Sequence, residues 1–260
     1  MSPAGSPGGP VRTEVRDQTL VITLDRPEAR NAVDAAVAAG VAAALDHLDA
    51  TEELRVGVLT GAGGTFCSGM DLKAFLAGES PMVEGRGLAG LTQRAPEKPL
   101  IAAVEGWALA GGFEIALACD LVVAAEDARF GVPEVKRGLV AAAGAALRLP
   151  ELLPLPIALE LLLTGDPIDA RRAAGLGLVN RVVPTGLALE AALELAARIA
   201  ANGPLAVAAS RRVARASRGW SDAERWDKQD ELTLPVFLSE DAQEGPRAFA
   251  EKRPPRWQGR

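Results

Sequence analysis

Histidine and tyrosine are almost missing from this 260-residue chain, which has one histidine, His47, and no tyrosine. A lone imidazole excludes most histidine-built metal sites and makes a Ser-His-Asp apparatus depend on one residue in an alanine-rich helical pattern. Acid-base chemistry here falls to carboxylates. Cysteine is scarce too. Cys67 and Cys119 stand among small and apolar residues, the pattern of buried thiols in a reducing compartment. No run of 18 uncharged apolar residues occurs, and the opening MSPAGSPGGP has neither a basic nor an apolar stretch. Neither a membrane span nor a secretory signal is therefore expected, and the protein reads as cytoplasmic. Positive charge is in deficit, 28 Lys and Arg against 34 Asp and Glu, which argues against a nucleic-acid surface. What is present is 48% apolar residues in a chain long enough to withdraw roughly 70 to 75% of its unfolded surface from water. Such a core needs no disulfide or metal to hold it.

Beyond the Pro/Gly-rich start, Val11 to Arg16 and Thr19 to Leu24 read as a hairpin around Asp17-Gln18. From Asn31 to about Asp49, Val33, Val37, Val41, Leu45 and Leu48 recur at helical spacing. A strand over Arg55 to Thr60 follows, then a glycine-rich loop from Gly61 to Gly69 and a helix start at Asp71-Leu72-Lys73. Residues 78–90 mix Gly, Pro, Ser and charge without period and predict a mobile surface loop. Apolar strands at Leu100 to Val104 and Leu121 to Ala124 flank a helix from Phe113 to about Ala118. This alternation predicts an α/β core with parallel pairing. Past Pro150 strand signals nearly vanish and helical patterns take over, including Leu187 to Ala201, Leu205 to Ser217 and Asp222 to Glu231. The expected organisation is a flexible tail over 1–10, a core over 11–200 and a helical region over 201–260.

Three places combine close backbone approach with a carboxylate. The turn Gly61 to Asp71 leads into a helix start whose free amides could hold an anion or a polarised carbonyl; Asp71 reads equally as an N-cap. In Ala110-Gly111-Gly112-Phe113-Glu114, two glycines let another backbone come close, and the N–H of Gly111 lies where a helix begins. Glu114 there either complements the helix dipole or is a reactive acid; its apolar neighbours would raise its pKa. In Phe130-Gly131-Val132-Pro133-Glu134, proline presets a turn, and Glu134 has the same two readings. Together, two desolvated carboxylates and two glycine-shaped turns are the parts that polarise a carbonyl and move protons beside it.

Other motifs fall away. Ser68 lacks the glycine two positions earlier that a nucleophile elbow needs, because Phe66 stands there, and the same Phe66 breaks a GxGxxG fingerprint. Arg211, Arg212, Arg215 and Arg218 span one helix face and read as a solvated surface, and Trp220 and Trp226 as packing at helix ends.

Four ordered segments carry a resemblance. They are Asp25-Arg26-Pro27-Glu28-Ala29-Arg30-Asn31-Ala32, Phe66-Cys67-Ser68-Gly69-Met70-Asp71-Leu72-Lys73, Ala103 to Glu114, and Phe130 to Glu134. In order and spacing the chain resembles the enoyl-CoA hydratase/isomerase (crotonase) superfamily over nearly its whole length. That resemblance implies an α/β spiral of ββα units with a C-terminal helical trimerisation region, assembled as a homotrimer or homohexamer. It implies an acyl-CoA substrate, with coenzyme A part of the substrate rather than a cofactor; the composition above adds the expectation of no metal, nucleic acid or membrane as partner. Carried over residue by residue, the backbone N–H groups of Ser68 and Gly111 form the oxyanion hole. Glu114 handles the water that adds at the β carbon, and Glu134 delivers a proton to the α carbon. The CoA part falls to Arg30, Ala32, Ser68, Gly69, Met70, Asp71, Leu72 and Gly111, with Lys252 reaching a phosphate in a neighbouring subunit.

Both glutamates are present, as in the hydratases of the family, whereas several isomerases keep one. The stretch Leu139 to Ala145 departs from the proline and paired glycines that hydratases often have, which leaves the acyl-pocket wall open. Gly87 to Thr92 and Ala248 to Arg253 look especially like the carnitinyl-CoA dehydratase branch. The expectation is thus an enoyl-CoA hydratase. A carnitinyl-CoA dehydratase, an enoyl-CoA isomerase using Glu134 alone, and a non-catalytic acyl-CoA or RNA-binding homologue are the alternatives.

Overall fold

The computed structural model describes residues 9–260, so the tail expected over 1–10 lies outside them but for its last two residues. The chain divides into two compact units, one ending at Ala196 and the other running from Ala197 to Arg260. The sequence reading places that boundary after residue 200.

The first unit opens with the hairpin β1 (Val11–Arg16) and β2 (Thr19–Leu24), paired antiparallel from Val11 opposite Leu24 to Arg16 opposite Thr19. Helix α1 (Ala35–Ala50) begins where the Asp34 carboxylate accepts the N–H of Val37 and buries Val37, Val41, Leu45 and Leu48. It starts four residues later than the periodicity suggests. Asn31 is held at φ 55°, a left-handed conformation outside any helix, with its side chain fully buried.

Strand β3 (Val56–Gly61), the short helix α2 (Leu72–Leu76), and the strands β4 (Met82–Val83) and β5 (Gly87–Leu88) follow. The last two correct the expectation of a mobile loop over 78–90. They pair antiparallel, Leu88, Ala89 and Leu91 are buried, and the Arg86 guanidinium donates to Gly90 O (3.0 Å) and Asp46 Oδ1 (2.6 Å). Apolar anchors that meet a distant partner outweigh the loop-like composition between them.

Strands β6 (Leu100–Val104) and β7 (Trp107–Leu109), helix α3 (Gly111–Ala118), and strands β8 (Leu121–Ala125) and β9 (Arg129–Gly131) form the middle of the unit. Helices α4 (Ala145–Leu152) and α5 (Leu155–Thr164) come next. Strand β10 (Ile168–Asp169), helix α6 (Ala170–Gly175), strand β11 (Arg181–Val183) and helix α7 (Ala188–Ala200) complete the order. Two strands after Pro150 therefore escaped the sequence reading; at two and three residues they are too short to show a period.

The main sheet runs β1-β2-β3-β6-β8-β11, parallel throughout except for the first hairpin. Its central strand β6, Leu-Ile-Ala-Ala-Val, is buried at every position, as a parallel strand covered on both faces must be. A second sheet, β10-β9-β7, positions the chemistry. β7 and β9 are parallel with Leu109 opposite Gly131, and an isolated parallel bridge sets Cys67 beside Ala108. Three chain segments thus run out side by side at one end, and each continues into one of the turns singled out above. Carboxyl ends of parallel strands are where such folds place ligands.

The second unit contains helices α8 (Pro204–Ala216), α9 (Arg225–Phe237) and α10 (Glu240–Ala250). Its C-terminal segment folds back on α10, where the buried Asp241 carboxylate accepts the N–H groups of Gln258 (2.7 Å) and Gly259 (2.9 Å). Trp226, expected as packing, is 66% exposed, and Leu234, Phe237, Leu238 and Phe249 are exposed too. Among the described residues no helix is long and apolar enough to cross a membrane.

Candidate functional site

The first wall is the loop before α1 clamped to the loop before α2. Asn31 donates from Nδ2 to Ala62 O (2.9 Å) and Thr65 O (2.6 Å) and accepts the N–H of Arg26 at Oδ1 (2.9 Å). The Arg26 guanidinium pairs with Asp34 (2.9 Å) and Asp71 (3.0 Å) and donates to Ala32 O (2.8 Å). Asp71 also accepts the N–H groups of Lys73 and Ala74, so it is the N-cap of α2. Burial alone would raise its carboxyl; the Ala74 amide, Arg26 and the Lys73 amide outweigh that and hold it below the usual range. Asn31→Ala removes three buried hydrogen bonds and is expected to destabilise the protein by about 3 kcal/mol, read as a lower denaturant midpoint at unchanged m-value.

This clamp aims the amides that follow. Ser68 N–H, expected to face a substrate, instead donates to Arg30 O (3.1 Å), and the Gly69 N–H donates to Cys67 Sγ (3.4 Å). Asp71 N–H donates to Val33 O (2.9 Å), so along this extended stretch the Met70 N–H points the other way. Among the described residues the N–H groups of Met70 and Gly111 have no hydrogen-bond partner. They lie close together: a Cβ built on Gly111 would be 3.5 Å from Met70 N and from Gly69 Cα. The free pair is therefore Met70 and Gly111, with Ser68 corrected to a buttress of the Arg30 turn.

Glycine is needed where these backbones touch. A side chain on Gly112 would strike the Cys67 carbonyl oxygen, and Gly111 has Leu88 of β5 packed against it. Between them and β7, Ala110 sits at φ 51°, ψ −129°, a strained conformation that turns the Gly111 amide out of the strand. Cys67 is fully buried, and that burial pushes its thiol up to about 12 against the Gly69 hydrogen bond, so it is inert.

Glu114 lies in α3, the helix that begins at Gly111, and Glu134 in the turn Pro133–Arg137 after β9; the two carboxyls are near enough for the charge of one to act on the other. Glu114 is only 3% exposed, and its Oε1 accepts the N–H of Ala145 (3.0 Å). Its carboxylate thus serves the N-terminus of α4 rather than that of its own helix. Burial raises its pKa, opposed by the amides of Ala145 and Ala143, the charge of Arg148 and the amide of Gly144. The half-buried Glu134 is less well provided for. Burial raises its pKa and the charge of Glu114 raises it further, while its own amide and Arg137 pull the other way. Its Oε2 is buried and has no hydrogen-bond partner among the described residues. Two carboxyls that feel each other titrate as a pair, and of the two Glu114 is the one provided with amide donors.

Arg30 is exposed at φ 51°, Ala32 is buried, and Leu72 is exposed at the start of α2. Lys252 belongs to the second unit and is exposed at φ 54°. Among the described residues no group of three or more His, Cys, Asp or Glu could hold a metal ion.

The family model for enoyl-CoA hydratase/isomerase matches residues 14–260. Enoyl-CoA hydratase EchA19 of Mycobacterium tuberculosis is 46% identical over 256 residues, covering 95% of this chain and 96% of that protein. Carnitinyl-CoA dehydratase of Salmonella typhi is 46% identical over 249 residues, covering 93% and 95%. The crystal structure of enoyl-CoA hydratase EchA1 from Mycobacterium marinum superposes with a TM-score of 0.95 at 60% identity, covering 97% of this chain and 100% of that one. With the match spanning both units, the chain belongs to the enoyl-CoA hydratase/isomerase family and has the crotonase fold.

Proposed function

We propose that the protein is a hydro-lyase that adds water across the 2,3 double bond of a 2-enoyl-CoA thioester. The observation that carries this reading is the juxtaposition of two unpartnered amides, Met70 and Gly111, with two carboxyls of raised pKa, one held by donors and one orphaned. The thioester oxygen accepts both N–H groups. Ionised Glu114 takes a proton from water as its oxygen bonds to the β carbon, and the π electrons move through the α carbon onto the carbonyl oxygen. Protonated Glu134 then gives its proton to the α carbon and the carbonyl reforms. The pair ends with its proton on the other member and resets by exchange. Each amide donor supplies about 2.7 to 4 kcal/mol of transition-state stabilisation.

For the CoA part, the Arg30 guanidinium is exposed and has no partner among the described residues, which suits it to a phosphate. The backbone of Ala32 and of Ser68 to Leu72 lines the thioester side. Asp71 shapes that loop, because its carboxylate is already engaged. Lys252 takes a phosphate in a neighbouring subunit, within a homotrimer or a homohexamer. The exposed Trp226, Leu234, Phe237, Leu238 and Phe249 support such assembly, since that much apolar surface on one small helical unit calls for a partner.

A second substrate, crotonobetainyl-CoA, is favoured by the carnitinyl-CoA dehydratase relative at 46% identity. Absorbance of the conjugated thioester, followed with crotonyl-CoA and with crotonobetainyl-CoA, tests both. Rapid loss with one of them is expected and identifies the acyl group. Migration of the double bond in a 3-enoyl-CoA, with neither hydrated, would replace this reading by an isomerase.

A further inference from the structure

Arg148 stands in the first turn of α4, and its guanidinium folds back toward the helix start, as long helical side chains do. It lies against Gly144, the N-cap, so closely that a side chain there would collide with Nη1. Gly144 sits at φ 126°, open only to glycine, and accepts the N–H of Arg148 (2.9 Å). A cation at a helix N-terminus has the wrong sign for the dipole. Something else must hold it there, and the groups around this helix start include a carboxylate and a carbonyl. The Glu114 carboxylate occupies the same helix start through the Ala145 N–H. The Thr92 carbonyl accepts a hydrogen bond from Arg148 Nη2.

Thr92 leads back to the other half of the site. It is 2% exposed, its hydroxyl accepts the N–H of Leu88 (3.0 Å), and its own N–H donates to Leu88 O (3.2 Å). Leu88 in turn packs on Gly111. A continuous path of contacts therefore joins the amide that faces the thioester to the helix start that holds the carboxylate, and Arg148 is its only charged member.

We propose that Arg148 is a positioning residue for hydration, tethering the Leu88-Thr92 segment over Gly111 and holding the Glu114 carboxylate ionised at the start of α4. This rests on the reading of Glu114 as the group that takes the proton from water. The charged groups that face Glu114 are Arg148 from α4 and Glu134 from the turn after β9; Arg137 acts on Glu134 from the same turn.

The test measures kcat/KM for crotonyl-CoA against pH in wild type, Arg148→Met, Arg148→Lys and Glu114→Gln. Without the positive charge Glu114 ionises less readily, so Arg148→Met moves the acidic limb up by about one pH unit. Below both limbs that is about a tenfold lower kcat/KM. Arg148→Lys restores the charge but not the fork that reaches Thr92, so its limb returns to the wild-type position while its plateau stays about threefold or more below wild type. An unmoved limb in Arg148→Met, or a wild-type profile in Arg148→Lys, overturns the proposal; the second holds even if the methionine variant does not fold. Full activity in Glu114→Gln would instead overturn the underlying role of Glu114, and the two failures are distinguishable.

Discussion

Glu134→Gln is expected to lower kcat for hydration of crotonyl-CoA by about 10²- to 10⁴-fold while making the folded protein more stable at neutral pH. The loss follows because glutamine holds no transferable proton for the α carbon. The gain follows from linkage. The Glu134 carboxyl is raised from its ordinary 4.5 by burial and by the charge of Glu114, and its Oε2 has no partner. A carboxyl whose folded pKa lies above its unfolded one binds its proton more tightly when folded. It therefore costs nothing below the unfolded value and increasingly destabilises as pH rises through the folded one. Removing a group whose ionisation is disfavoured in the folded state should return about 1 kcal/mol at pH 8, shrinking toward zero near pH 4. Paired denaturant melts of wild type and variant at the two pH values check this. A gain independent of pH would mean that packing, not ionisation, is responsible. Glu114→Gln should lose comparable activity with a smaller stability gain, because the α4 amides already compensate its charge.

Gly112→Ala should be strongly damaging for a single added methyl. Its Cβ would strike the Cys67 carbonyl oxygen, which accepts the Leu109 N–H (3.0 Å) in the bridge that sets Cys67 beside Ala108. Backbone on both sides leaves nothing to rotate away, so the two segments must part. The expected cost is about 3 kcal/mol, or roughly 10 °C in Tm for a chain of this size. Displacing Met70 from Gly111 by about 1 Å should lower kcat by roughly 10²-fold in the protein that remains folded. Gly175→Ala, at the end of α6 with open space around it, is the control: it should leave activity intact and Tm unchanged or slightly higher. Equal behaviour of the two variants would contradict the close approach at Gly112.

The parts of the fold written in local pattern were legible. The hairpin announced itself through two strands around Asp17-Gln18, and β6 and β8 through short apolar runs. Asn31 misled because alanine-rich sequence on one side outweighed the tendency of asparagine toward left-handed turns. Leu88 misled because glycines and charges around it look like loop, and its burial depends on Gly111, which is far along the chain. The site divides the same way. Glu114 and Glu134 could be picked out from apolar and glycine-rich company. The donors to Glu114, at residues 143–145, could not, since only folding brings α4 to α3. Nor could the choice of Met70 over Ser68, because which N–H is left free depends on the carbonyls of Arg30 and Val33 across the loop.

The most direct measurement of the central claim is the carbonyl stretching band of carbonyl-labelled crotonyl-CoA bound to Glu134→Gln, where turnover is too slow to consume it. Two amides aimed at the thioester oxygen should shift the band to lower frequency than in water, as a polarised carbonyl requires. A band at its aqueous position, in a sample where equilibrium dialysis shows the ligand bound, would contradict the assignment of Met70 and Gly111 as the polarising pair.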